Sequence, residues 1–302
     1  MRMAAISEPH PFYERLFMHV SFAWVILLST PSNLNVQSLS TPNGWARIVD
    51  LTFLINPEWL TTARVILLVA LGFYITRIFL WLALPVILLV NVSINAAANS
   101  QGAIRHAAQI VSLVLLAQTA ACYYEWWLRW KGVPAKETLE ERQVSWSQQA
   151  IAATYFVAGL TKLIATDGAW VFQARYIGVQ IFKTAYQTYY NDLNPDGLEG
   201  QLAIAQFVAA HGTVVALLCG LGLALELLAP LMLLGRRWGL LLGSTFVVFH
   251  FLIANLMQLS FIFHRLLVLI YIVSPIYWIG WASRTARSLF ARRGEIPPPT
   301  SP

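Results

Sequence analysis

Long, unbroken apolar runs dominate the chain, near residues 14–30, 63–76, 79–94, 104–127, 145–165, 207–234, 238–258 and 262–282. They do not alternate every second residue, so they predict helices rather than strands. A helix needs about 20 residues to cross a hydrocarbon layer of roughly 30 Å. The runs at 63–76 and 79–94 fall short of that and imply tilting, a kink at Pro85 or a re-entrant pair. The pattern therefore predicts an all-α integral membrane protein, a polytopic bundle of about eight transmembrane helices. It forms one domain over 1–290, with a disordered cytoplasmic tail over 291–302.

Composition agrees. Of 302 residues, 58% are hydrophobic and 11% charged, with a positive mean hydropathy. A soluble domain carries about 25% charged residues. With the N-terminus placed inside, thirteen Lys and Arg fall in cytoplasmic positions and seven in outer ones. The positive-inside rule then puts both termini in the cytoplasm and the chain in the inner (plasma) membrane. The net charge of +6 follows from this topology, and no nucleic-acid partner is implied. Cys122 and Cys219 fall inside apolar runs and read as small buried residues.

Two polar stretches interrupt the pattern. Residues 31–62 are rich in Ser, Thr, Asn and Pro, with Trp45 and Trp59 as interfacial anchors. Over 166–206, Phe172, Tyr176, Val179, Phe182, Tyr186 and Tyr190 recur at three- and four-residue steps. That spacing predicts an amphipathic outer-face helix, either a plain anchor or a lid over a site.

Ionisable and strongly polar groups inside spans mark candidate sites. Here they are Lys162, His211, Glu226, His250, Asn255, Gln258 and His264. Tyr155, Gly159 and Lys162 share one helix face by their i, i+4, i+7 spacing. Gly159 permits close approach of a neighbour. Lys162 is either a base or nucleophile in a dry pocket or a lysine snorkelling to the outer interface. Glu226 must be neutral, paired or facing a polar cavity. His250 and Gln258 border one side of their helix. Each of these residues is equally explained by bonding between helices. No histidine pair has metal-ligand spacing, so no metal is expected.

The segment Tyr155-Phe-Val-Ala-Gly-Leu-Thr-Lys162-Leu163, with Trp170 after it, resembles the membrane domain of vitamin K-dependent gamma-glutamyl carboxylase. Bacterial relatives of that domain form the horizontally transferred transmembrane (HTTM) family. Glu226, Phe249-His250, the stretch Asn255 to Phe261 and Ser274-Pro275 continue the resemblance in order over about 145–280. It implies a quinol-linked lyase reaction at the outer face, with Lys162 as the catalytic base. Tyr155, Gly159, Trp170, Glu226, His250, Asn255 and Gln258 would form the pocket. Reduced vitamin K or another quinol would be the cofactor, with a quinone-like lipid or a peptide as partner alongside the bilayer. The family's paired lysines stand here as Thr161-Lys162, and its large extra-membrane domain has no counterpart, which argues against glutamyl-protein carboxylation. Two alternatives remain: a non-catalytic peptide-maturation, immunity or scaffold protein, and a proton-coupled transporter using Glu226 and His250.

Overall fold

A computed structural model describes residues 9–34, 44–100, 106–193, 195, 197–257 and 259–294. Side chains at 45, 175, 192 and 288–294 are not described, so the Trp45 side chain, Gln258 and residues 295–302 of the expected tail lie outside the description, whereas 291–294, expected to be disordered, are helical. Among the described residues the regular secondary structure is all helical, without strands.

Helix α1 (Phe12–Ser29) is followed by short 3₁₀ turns and then by α2 (Pro57–Thr76) and α3 (Leu80–Asn99). The last two are full-length, 20 residues each, not the short segments the apolar runs predict. Asn56 explains the longer α2. Its side chain accepts from the Glu58 N–H at 2.8 Å, and Pro57 takes the first helical position, so the helix starts well before its apolar stretch. Arg77 and Phe79, both left-handed (φ 64° and 49°), make the turn into α3, which continues past Pro85.

Then come α4 (Gln109–Trp130) and α5 (Leu139–Ala165). The Thr138 hydroxyl caps α5 by accepting from the Glu141 N–H at 3.2 Å. A 3₁₀ segment (Trp170–Tyr176) leads into α6 (Ile177–Asp192), α7 (Leu198–Ala210) and α8 (Gly212–Leu227). The single span expected over 207–234 is broken. α7 and α8 meet at 94°, because His211 leaves helical geometry (φ −112°, ψ 45°) and its ring Nδ1 turns back to the Phe207 carbonyl at 2.9 Å. Pro230 then ends α8, and 3₁₀ turns run to Leu234.

The chain closes with α9 (Arg236–Met257), α10 (Ile262–Leu267), a π-helical segment (Val268–Val273) and α11 (Pro275–Gly294). Among the described residues, five helices are long and apolar enough to cross a membrane, or six if the bent α7–α8 pair is one span. α1 and α5 carry more polar residues and fall outside that set.

The core is apolar at mid-height, where Met18, Phe22, Leu84, Val114, Leu115, Ile151 and Phe246 pack with almost no exposure. Cys122 joins it, whereas Cys219 is only half-buried. At one end the basic residues gather and are paired. Arg15 meets Glu140 and Glu141, Arg77 meets Glu140 and Gln143, and Arg142 meets Glu125 and Glu137. Arg236 grips Glu14 with two N–H groups at 2.7 and 3.0 Å.

Candidate functional site

The face of α5 that the spacing marks is the one that carries the site. Tyr155 is 3% exposed, and its hydroxyl lies 2.9 Å from His250 Nε2 on α9. One turn on, Gly159 presses against α8, where a Cβ would lie 3.2 Å from Glu226 Cβ. That closeness lets the next turn deliver Lys162, whose Nζ lies 2.5 and 2.6 Å from the two carboxylate oxygens of Glu226. The Lys162 Nζ is also 5.1 Å from the centre of the Trp170 ring.

The pair is lopsided. The Lys162 side chain is 32% exposed and that of Glu226 only 8%. Lys162 is thus neither alone in a dry pocket nor merely reaching for the interface; it holds a buried carboxylate and stays accessible itself. Next to Trp170, Val171 and Phe172 join Gly212, Ala216, Gly220 and Leu221 of α8 in an apolar groove of about 910 Å³. Pockets that hold small ligands run to about 300–1,000 Å³.

No family model, curated protein or solved structure matches the chain.

His250 is 5% exposed and sits among Phe246, Phe249 and Phe261. His264 of α10 stands 5.7 Å from it, ring centre to ring centre, and 6.0 Å from Tyr155. Spacing along the sequence does not place His264 here; the turn between α9 and α10 does.

The structure corrects one expectation. Asn255 is not part of the pocket: it is exposed and donates to its own helix, at the Phe251 carbonyl, at 2.7 Å. Five residues beyond His250, it is turned about 140° around the helix. Glu226 and His250 have separate partners: Glu226 is taken by Lys162 and His250 by Tyr155. Gln258 lies outside the described residues.

The aromatic residues of 166–206 do form an exposed stripe. Phe172, Tyr176, Val179, Phe182 and Tyr190 face outward, with the Phe182 and Tyr186 rings 4.7 Å apart. Ala174, Ile181 and Ala185 are buried beneath them, and Gly178 seats α6 directly on the α7 backbone at Ala205.

A second polar centre was not legible beforehand. Glu14 has no exposure at all and accepts from Arg236 and from the Ser274 hydroxyl at 2.6 Å. A cavity of about 40 Å³ beside it touches His10, Gln148 and Tyr271, enough for about two or three waters. Deeper still, Gln118 accepts from the Tyr74 hydroxyl and donates to Ser147 and to the Tyr271 hydroxyl. Both Glu14 oxygens are engaged, which makes this centre a clasp between helices. Among the described residues, no three His, Cys, Asp or Glu side chains come together as metal ligands.

Proposed function

We propose that the chain is a membrane-embedded enzyme of the carboxylase-like, HTTM kind, in which Lys162 takes a proton from a quinol-type lipid. The observation that supports this most is the lopsided Lys162–Glu226 pair. The accessible partner is the amine, and the buried one is the carboxylate.

As an ion pair, the amine already holds its proton and is no base. Transfer of that proton across the short contact to Glu226 leaves a neutral amine in front of a neutral acid, an exchange that burial favours. A hydroxyl proton from a ligand then moves to Lys162 Nζ, and the ammonium formed stays beside the new oxyanion to stabilise it. Trp170 offers a ring face beside the amine, and the apolar groove next to it suits a hydrocarbon chain. Reduced vitamin K or a related quinol, when bound, would supply the acidic hydroxyl and, with dioxygen, a strong base.

The membrane topology belongs to the same proposal. Counting α7–α8 as one crossing and adding α1 and α5 brings the spans to the expected eight, with both ends on the cation-rich side. The positive-inside rule assigns that side to the cytoplasm of the plasma membrane, so the exposed stripe of α6 lies on the outer surface.

The test uses the purified protein in nanodiscs with reduced vitamin K and oxygen, reading quinone epoxide by mass spectrometry. Wild type is expected to form epoxide, and Lys162→Met to lose at least about a hundredfold. Vitamin K binding without epoxide would overturn the chemistry. Neither binding nor epoxide would overturn the quinol reading altogether and favour a non-catalytic role in peptide maturation.

One observation favours a second reading. The 94° break at His211–Gly212 makes α7–α8 a discontinuous helix, a device by which transporters line their binding sites. Proton-coupled flux into proteoliposomes that vanishes with Glu226→Gln would support it.

A further inference from the structure

Next to Tyr155 lie two imidazole nitrogens that bond nothing among the described residues. The Nδ1 atoms of His250 and His264 are both buried without a hydrogen-bond partner. Their rings are 5.7 Å apart, and the Phe261 ring lies 5.1 Å from one and 5.3 Å from the other. Buried polar atoms left unpaired are uncommon and call for a partner.

The Tyr155 contact sets the chemistry of that partner. A buried phenol seeks an acceptor for its proton, and the group within reach of the Tyr155 hydroxyl is His250 Nε2. An imidazole that accepts at Nε2 carries its own hydrogen at Nδ1. The unpaired atom of His250 is then a donor and needs an oxygen to accept from it. No Tyr155-like group bonds His264 Nδ1, so that ring is free to present either a donor or an acceptor there. Tyr155, Phe246 and Phe261 provide aromatic walls around the two rings.

We infer that His250 and His264 hold an oxygen substituent of an aromatic-ring ligand, with His264 as the specificity-determining residue. Resting on the proposed quinol reading, this assigns the two imidazoles to the ring oxygen that does not surrender its proton to Lys162. A carbonyl accepts from His250 and from the Nδ1–H tautomer of His264. A hydroxyl accepts from His250 and gives its own hydrogen to His264, so one site suits a quinol and its quinone.

The test measures binding to the full chain in nanodiscs by equilibrium dialysis, with two probes. One is 2-methyl-1,4-naphthoquinone; the other is 2-methylnaphthalene, the same ring system without oxygens. Wild type is expected to prefer the quinone by about tenfold or more. His264→Phe should cut that preference severalfold, leaving only what the His250 donor supplies, while the hydrocarbon's affinity stays unchanged, which also shows that the variant is folded. His264→Asn, with an amide near the position of Nδ1, should restore most of it. Lys162→Met should keep the preference, because the oxidised probe has no proton to give. An unchanged preference in His264→Phe would overturn the inference, and so would equal binding of both probes by wild type, the outcome if the two nitrogens only bind a resident water. Epoxide formation by wild type with an unaffected His264→Phe would sink this inference alone and leave the Lys162 reading standing.

Discussion

A methyl group at position 159 would sit 3.2 Å from both Glu226 Cβ and Leu227 Cδ2, tighter than packed side chains tolerate without shifting. Gly159→Ala therefore drives α8 away from α5 just where Lys162 reaches for Glu226. The expected outcome is a drop in epoxide formation of about tenfold or more, against a stability loss of only about 1–3 kcal/mol. Mass spectrometry and thermal unfolding in detergent check the two parts, and an unaltered turnover would show that the short contact is not needed. The α5 face was legible in the sequence because Tyr155, Gly159 and Lys162 follow the helical period, and a period survives folding. The partners were not. Glu226 was visible as a costly acid in an apolar run, but its pairing with Lys162 depends on how two helices dock. His264 lies on a different element from His250 and reaches it only through the turn between α9 and α10. Asn255 drew attention by its polarity, and helical geometry alone turns it away.

At the level of single elements, the break between α10 and α11 shows what local sequence does and does not reveal. Ser274-Pro275 marks a helix boundary, and α10 does not run through it. The chain nevertheless becomes helical again at once, after a π-helical turn that no periodicity signals. Close packing accompanies the irregular turn: a Cβ on Gly239 would lie 3.0 Å from the Ile272 carbonyl oxygen, and one on Gly243 would lie 2.9 Å from Val273 Cγ2. Ser274 itself is left-handed, with φ 49°, while its hydroxyl donates to Glu14. Ser274→Ala and Ser274→Gly both delete that bond, but only glycine adopts the backbone without strain. The glycine variant is expected to be more stable than the alanine variant by about 1–2 kcal/mol in denaturant titrations. Equal stabilities would mean that the left-handed backbone at 274 carries no strain for a residue with a Cβ. His211 is the parallel case in the first half of the site: its ring caps α7 and the chain turns by 94° inside what reads as one apolar run.

At the scale of the whole molecule, α5 shows polar groups at two levels separated by a dry layer. Along α5, Gln143, Ser147 and Gln148 serve the end where the cations gather, Ile151 and Ala152 are buried and apolar, and Tyr155 begins the candidate site. Composition and hydropathy were enough to read an all-helical chain with several helices long and apolar enough to cross a membrane. They could not show that α1 and α9, joined by Glu14 and Arg236, are locked together across 222 residues of chain. The two sides of that pair differ. Glu14 has no exposure, whereas Arg236 is 16% exposed and has the Tyr277 ring 3.7 Å from its guanidinium carbon. Arg236→Met leaves the fully buried Glu14 carboxylate with only the Ser274 hydroxyl and the small cavity beside it, and should be the worse single change, at about 3–5 kcal/mol. Glu14→Gln should be milder, since the guanidinium keeps the Tyr277 face and some solvent. The double variant removes both charges and leaves none uncompensated, so it should be less destabilised than Arg236→Met alone. A double-mutant cycle on unfolding in detergent measures this directly. Strict additivity would mean that the two residues are held in place independently, and that α1 is fastened to α9 by the surrounding apolar contacts rather than by their charges.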